Sequence, residues 1–170
     1  MNVRSRLLSV VIALLAVAAA QTAAFAASYS DAVSGVEIFA TSTEGRFAGN
    51  ASGALPGYWY ADVVHTPLAG SPQTAAITGG SFDLSTTVSG QPALVTGVFS
   101  GGSVVQTGGF TGCTNQTYSV TGNLTNVGPY GGGQTGTGTF GAVLTHYQYS
   151  SYGYCITYAA SIAGIVDLAF

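Results

Sequence analysis

From residue 27 onward, apolar and polar side chains alternate in short runs, and no segment shows an apolar period of 3.6 residues. Runs rich in Val, Ile, Thr, Tyr and Phe are separated by Gly, Pro, Asn and Ser, which is the pattern of strands and turns. Strands are expected near Val36–Ser42, Arg46–Ala54, Tyr58–His65, Ala75–Thr87, Ala93–Phe99, Ser103–Phe110, Cys113–Asn123, Gly136–Tyr149 and Tyr154–Leu168. The breakers include Leu55-Pro56-Gly57, Pro67 with Gly70-Ser71-Pro72, Gly90-Gln91-Pro92 and the run from Gly128 to Gly133. Eight or nine strands with short connections and no crossover helix predict an all-β antiparallel meander, closed as a β-barrel or folded as a sandwich. The chain has no lysine with which to guard an exposed sheet edge, so closure is the favoured expectation.

The stretch from Leu144 to Tyr158, LTHYQYSSYGYCITY, reads as one hairpin turning within Ser150-Ser151-Tyr152-Gly153. A period of two groups Tyr147, Tyr149, Tyr154, Ile156, Tyr158, Ala160 and Ile162 on one face. It groups Leu144, His146, Gln148, Cys155, Thr157 and Ser161 on the other. The first set is aromatic and aliphatic and is expected inside; the second is expected outside. Cys113 is placed with the outer set, because from it Asn115, Thr117, Ser119 and Thr121 alternate with Tyr118, Val120 and Leu124. An odd loop or a bulge would reverse the assignment. In the third predicted strand Trp59, Ala61, Val63 and His65 share one face, with His65 at the rim just before Pro67. Tyrosine has a flat apolar body and a polar tip, and a small barrel can hold one ligand in its mouth. Trp59, Tyr118, Tyr147, Tyr149 and Tyr158 are therefore the candidate ligand-binding residues.

Two features fix the expected destination. Arg4 and Arg6, the apolar run from Leu7 to Ala20 and Ala24-Phe25-Ala26 have the order of a secretory signal peptide, so residues 1–26 are expected to be removed. This leaves 27–170 as a single barrel-like domain. Cys113 and Cys155 are the only cysteines, and in an exported chain an even count reads as a disulfide. Beyond residue 26 the chain holds six carboxylates and one arginine, a formal charge of about −5. Phosphate neutralisation needs cations that are absent here, so no nucleic acid partner is expected.

Candidate chemistry is sparse. The pairs Gly79-Gly80, Gly101-Gly102 and Gly108-Gly109 lack the helix start and the lysine of a phosphate loop. No Gly-x-Ser-x-Gly elbow occurs. His65 and His146 alone are too few for a clear metal site, and glycoside hydrolysis would need two acids facing one cleft, for instance Asp62 with Asp83. No catalytic residue, metal or cofactor is assigned.

Gly57-Tyr58-Trp59-Tyr60 resembles the Gly-x-Trp of lipocalins and the Gly-x-Trp-Tyr of avidin-like barrels over four residues. In those families the motif lies on the first strand, whereas here a strand precedes it, so no family is assigned. The ending from Ile162 to Phe170, with apolar residues at alternate positions and a terminal phenylalanine, is similar to the end of a bacterial outer-membrane barrel. The expected protein is a secreted or cell-surface barrel with a non-enzymatic structural or small-ligand-binding role. Its expected partners are a small apolar or sugar-like ligand and the cell wall or surface, without membrane insertion. The alternatives are an outer-membrane barrel and a barrel enzyme, a cyclase or hydrolase, using a histidine in the mouth.

Overall fold

A computed structural model describes residues 26–170. The segment read as a signal peptide lies outside the described residues, apart from Ala26. Eight strands follow one another in sequence: β1 (Ser28–Ala40), β2 (Glu44–Gly53), β3 (Gly57–His65), β4 (Thr74–Val88), β5 (Gln91–Gly108), β6 (Gln116–Pro129), β7 (Gly136–Ser151) and β8 (Tyr154–Ala169). Each pairs antiparallel with its neighbour, and β1 closes on β8 from Ser28↔Ala169 to Val36↔Ser161. The all-β meander is thus a closed barrel rather than a sandwich. The predicted strands Ala93–Phe99 and Ser103–Phe110 are one strand, β5. Gly101 and Gly102 bend it without ending it, at φ +156° and +140°. A Cβ on Gly102 would meet the carbonyl oxygen of Thr121 at 2.0 Å, so only glycine allows this approach.

Eight strands enclose a lumen just wide enough for side chains to fill. Trp59, Phe82, Phe99 and Phe140 fill it here. Phe140 lies 5.9 Å from Trp59, 6.3 Å from Phe82 and 6.1 Å from Phe99, centroid to centroid. Trp59 is fully buried and its indole N–H donates to the Ser34 carbonyl at 3.1 Å. The indole lies beside a glycine pair, since Gly49 is its cross-strand partner and Gly35 is the partner of Gly49. A Cβ on Gly49 would come within 1.9 Å of the Ser34 carbonyl oxygen. Val33, Leu84, Val95, Leu124, Val166 and Leu168 complete the packed interior. The outer wall is largely Ser, Thr and Asn, as at Ser119, Thr121, Asn123 and Thr139, with aliphatic residues such as Val143 and Ile165 among them.

The final hairpin groups its residues largely as expected, but the faces are inverted. Leu144 is 5 % exposed inside the barrel, and His146 follows it inward two residues on. Tyr149 and Tyr158 are 48 % and 65 % exposed on the outside, and Tyr147 points the same way, its hydroxyl 3.0 Å from Ser161 Oγ. On β7 the direction is set by Phe140, Ala142 and Leu144, which face inward in phase with His146, and on β8 a bulge breaks the alternation. β7 and β8 pair regularly up to Tyr147↔Ala159, after which Gln148 faces Thr157 and Tyr158 is the extra residue. That slip moves Tyr154, Ile156 and Tyr158 out of phase with Ala160 and Ile162, which do face inward.

The barrel wall next to this hairpin stops early. β6 pairs with β7 only as far as His146, and β1 pairs with β8 only as far as Ser161. Residues 147–160 therefore project past the wall as a two-stranded tongue. Cys113 and Cys155 form the expected disulfide, with S–S 2.07 Å. Cys113 precedes β6 in a connection, so strand alternation does not govern it. Cys155 lies on the tongue face of Gln148 and Thr157, which continues the lumen side and not the outer wall. The Gln148 N–H also donates to Asn115 Oδ1 at 3.1 Å, so two links hold the tongue to the β5–β6 connection.

Candidate functional site at the barrel mouth

An up-and-down barrel brings alternate connections to one end. The ends of β1, β3, β5 and β7 and the starts of β2, β4, β6 and β8 form a mouth over the aromatic plug. A cavity of about 70 Å³ opens there. Phe47, Val63, Val104, Val120 and Leu144 supply its apolar wall, and Glu37, His65, Tyr118 and His146 its polar groups. That volume admits a few water molecules or the end of a small ligand, well below the ~300 Å³ of an ordinary ligand pocket.

Glu37 reaches the mouth because β1 alternates Asp31, Val33, Gly35 and Glu37 toward the lumen. Its Oε2 lies 3.0 Å from His146 Nε2, and both side chains are mostly buried. The contact orients the ring and becomes an ion pair whenever the imidazole is protonated. The Tyr118 ring lies 5.4 Å from that of His146, and its hydroxyl has the amide oxygens of Gln73 and Gln116 each at 3.0 Å. Burial raises the Tyr118 pKa, and the Glu37 charge raises it further, so the phenol stays a hydrogen-bond donor. Gln106 is 7 % exposed and fully engaged: its amide donates to the Gly108 and Gly109 carbonyls and its oxygen accepts from Gln73 N–H. This network fixes the β4–β6 side of the mouth. His65 stands at the rim, as its place before Pro67 suggests, and its Nδ1–H donates to the Thr66 carbonyl at 2.7 Å.

The five residues proposed from sequence are split three ways. Tyr118 lines the mouth, Trp59 lies in the plug below it, and Tyr147, Tyr149 and Tyr158 cluster on the outer face of the tongue. Sequence reasoning missed Glu37 and placed His146 outside. The pattern Phe140-Ala142-Leu144-His146 carried the signal for the latter, because three buried residues in phase point the fourth inward. Asp62 and Asp83 both sit on the outer wall. Asp62 Oδ2 is 3.5 Å from Arg46 Nε, which also binds Glu44 at 2.6 Å, and neither acid borders the mouth. Among the described residues no group of three or more His, Cys, Asp or Glu is placed to hold a metal. No family model, curated protein or solved structure matches this chain.

Proposed function

We propose that this chain is an exported, non-enzymatic barrel that binds a small amphiphile at its mouth. The observation that carries the reading is the convergence of Glu37, His146 and Tyr118 on one cavity with apolar walls. A short aliphatic chain fits against Val63, Val104 and Leu144, while a hydroxyl or ammonium group meets Glu37. The plug beneath limits the ligand to a few heavy atoms, so storage of a large molecule in the lumen is not part of the proposal. Export draws its support from the N-terminal charge and apolar pattern and from the disulfide, which persists in oxidising compartments. The hydroxyl-rich outer wall favours water around the barrel, since a lipid-facing wall is an apolar band.

NMR titration with butanol, butylamine and butyrate tests the binding. Saturable shifts of the His146 ring signals with at least one compound, abolished by Val104→Phe, are expected. No saturable shift with any of them would refute the site.

One observation favours a second reading. The Glu37–His146 pair has the carboxylate–imidazole arrangement of a general base, and a hydrolase or cyclase working in the mouth would use it. Once any turnover is found, its survival in His146→Ala would end that reading.

A further inference from the structure

The outer face of the last four strands is unlike the rest of the barrel. Between Asp83 and Asp167 the chain carries no Asp, Glu, Lys or Arg, so β5, β6, β7 and nearly all of β8 present an uncharged wall. Along β7 the outward positions are Thr139, Gly141, Val143, Thr145, Tyr147 and Tyr149. With ~3.4 Å per residue, this strip is roughly 34 Å long.

Its two ends differ. At the lower end the row Thr121↔Gly141↔Ile165 crosses three strands, and Gly141 leaves its centre without a side chain. The row below it is Asn123↔Thr139↔Asp167. Together they floor an open trough of about 640 Å³ with polar groups along one side. At the upper end Tyr147, Tyr149 and Tyr158 form a faceted aromatic platform, with ring centroids 6.3 Å and 5.8 Å from Tyr158 and ring planes tilted 43° and 59° to it. Tyr154 and Ile156 extend it on the same tongue face, and the disulfide holds the tongue from behind.

We propose that this strip binds an extended, neutral polysaccharide, with the chain lying along β7 from the Gly141 trough to the tyrosine platform. Pyranose rings present flat C–H faces that stack on phenol rings, and their hydroxyls match Asn123 and Thr139 at the trough and Ser119, Thr117, Thr145 and Ser161 between the two ends. A polyanion finds no cation here. Asp167, at the lower end, is the one acid on the strip, too little charge to hold a polycation. A platform pinned before binding loses little conformational freedom when a chain docks. The surface is separate from the mouth and extends the proposed function to a second, larger ligand.

Affinity electrophoresis of the disulfide-bonded chain through gels containing a neutral xyloglucan, arabinoxylan, mixed-linkage glucan or mannan tests this, with polygalacturonate as the charged control. Retardation by at least one neutral polymer and none by polygalacturonate is expected. The double substitution Tyr149→Ala with Tyr158→Ala should weaken it at least ten-fold. Gly141→Phe should do the same, since an added Cβ there meets nothing within 4 Å and the ring fills the trough without disturbing the wall. Val104→Phe, which fills the mouth, should leave retardation unchanged, so loss of one site is distinguishable from loss of the other. No retardation by any neutral polymer would overturn the proposal, as would retardation that survives the tyrosine and glycine variants. Sedimentation velocity supplies the remaining outcome. A dimer that the same tyrosine substitutions dissolve would assign the face to a second copy of the chain and overturn glycan binding.

Discussion

Glu37 Oε2 and His146 Nε2 lie 3.0 Å apart although 109 residues separate them in the chain. The contact joins the end of β1 to β7 across the mouth, with β8 between them in the wall. Among the described residues it is the longest-range in sequence of the side-chain polar contacts, beside those of Trp59 with Ser34 and Tyr118 with Gln73. Replacing Glu37 by Gln should cost about 1.5–3 kcal/mol in urea unfolding, the range for a hydrogen bond to a charged group. A double-mutant cycle with His146→Ala should give a coupling of at least ~1 kcal/mol. Additive effects would show that the two groups do not depend on one another.

The plug makes a second prediction. Trp59 is the only tryptophan and is fully buried against Phe82 and Phe140. Its emission should be blue-shifted and poorly quenched by acrylamide. Phe82→Ala should destabilise the barrel by about 3–5 kcal/mol, the usual cost of removing a buried aromatic ring.

The disulfide acts on the tongue more than on the wall. Closing a separation of 42 residues contributes at most about 4 kcal/mol in the chain-entropy view. In a Cys113→Ser, Cys155→Ser variant, hydrogen exchange over 147–160 should rise sharply while β2–β4 stay protected. Equal loss of protection everywhere would mean that the tongue and wall unfold as one unit.

Asp83 gives a pH signature. Burial pushes its carboxyl pKa above the ordinary aspartate value. In the pH range between the unfolded and folded pKa values the native state holds more protons, so stability falls as pH rises through that range. Asp83→Asn should therefore raise the melting temperature at pH 7 and change it little at pH 3. Melting curves at the two pH values check the sign.

The barrel was legible because strand alternation and turn residues are local. The final hairpin shows where locality ends. Its largely correct face grouping followed from period two, but its direction is set by the inward phase of Phe140, Ala142 and Leu144, and the slip at Tyr158, which no glycine or proline marks, separates the β8 tyrosines from Ala160 and Ile162. Counting tyrosines as core also misled, because the phenol ring tolerates exposure and here projects beyond the wall. Glu37 was missed for another reason. The inward phase that includes it is set by Asp31 and Val33, which precede the expected strand Val36–Ser42. The buried acid reads as sensible only once β7 places His146 opposite, a fact of topology and not of any local window.

Tyrosine accessibility tests the central claim most directly. After limited nitration of the native protein, mass spectrometry should find Tyr149, Tyr152, Tyr154 and Tyr158 modified and Tyr118 spared until the barrel unfolds. Early modification of Tyr118 with protection of Tyr149 and Tyr158 would put the hairpin tyrosines inside, and would contradict both the mouth and the outer platform.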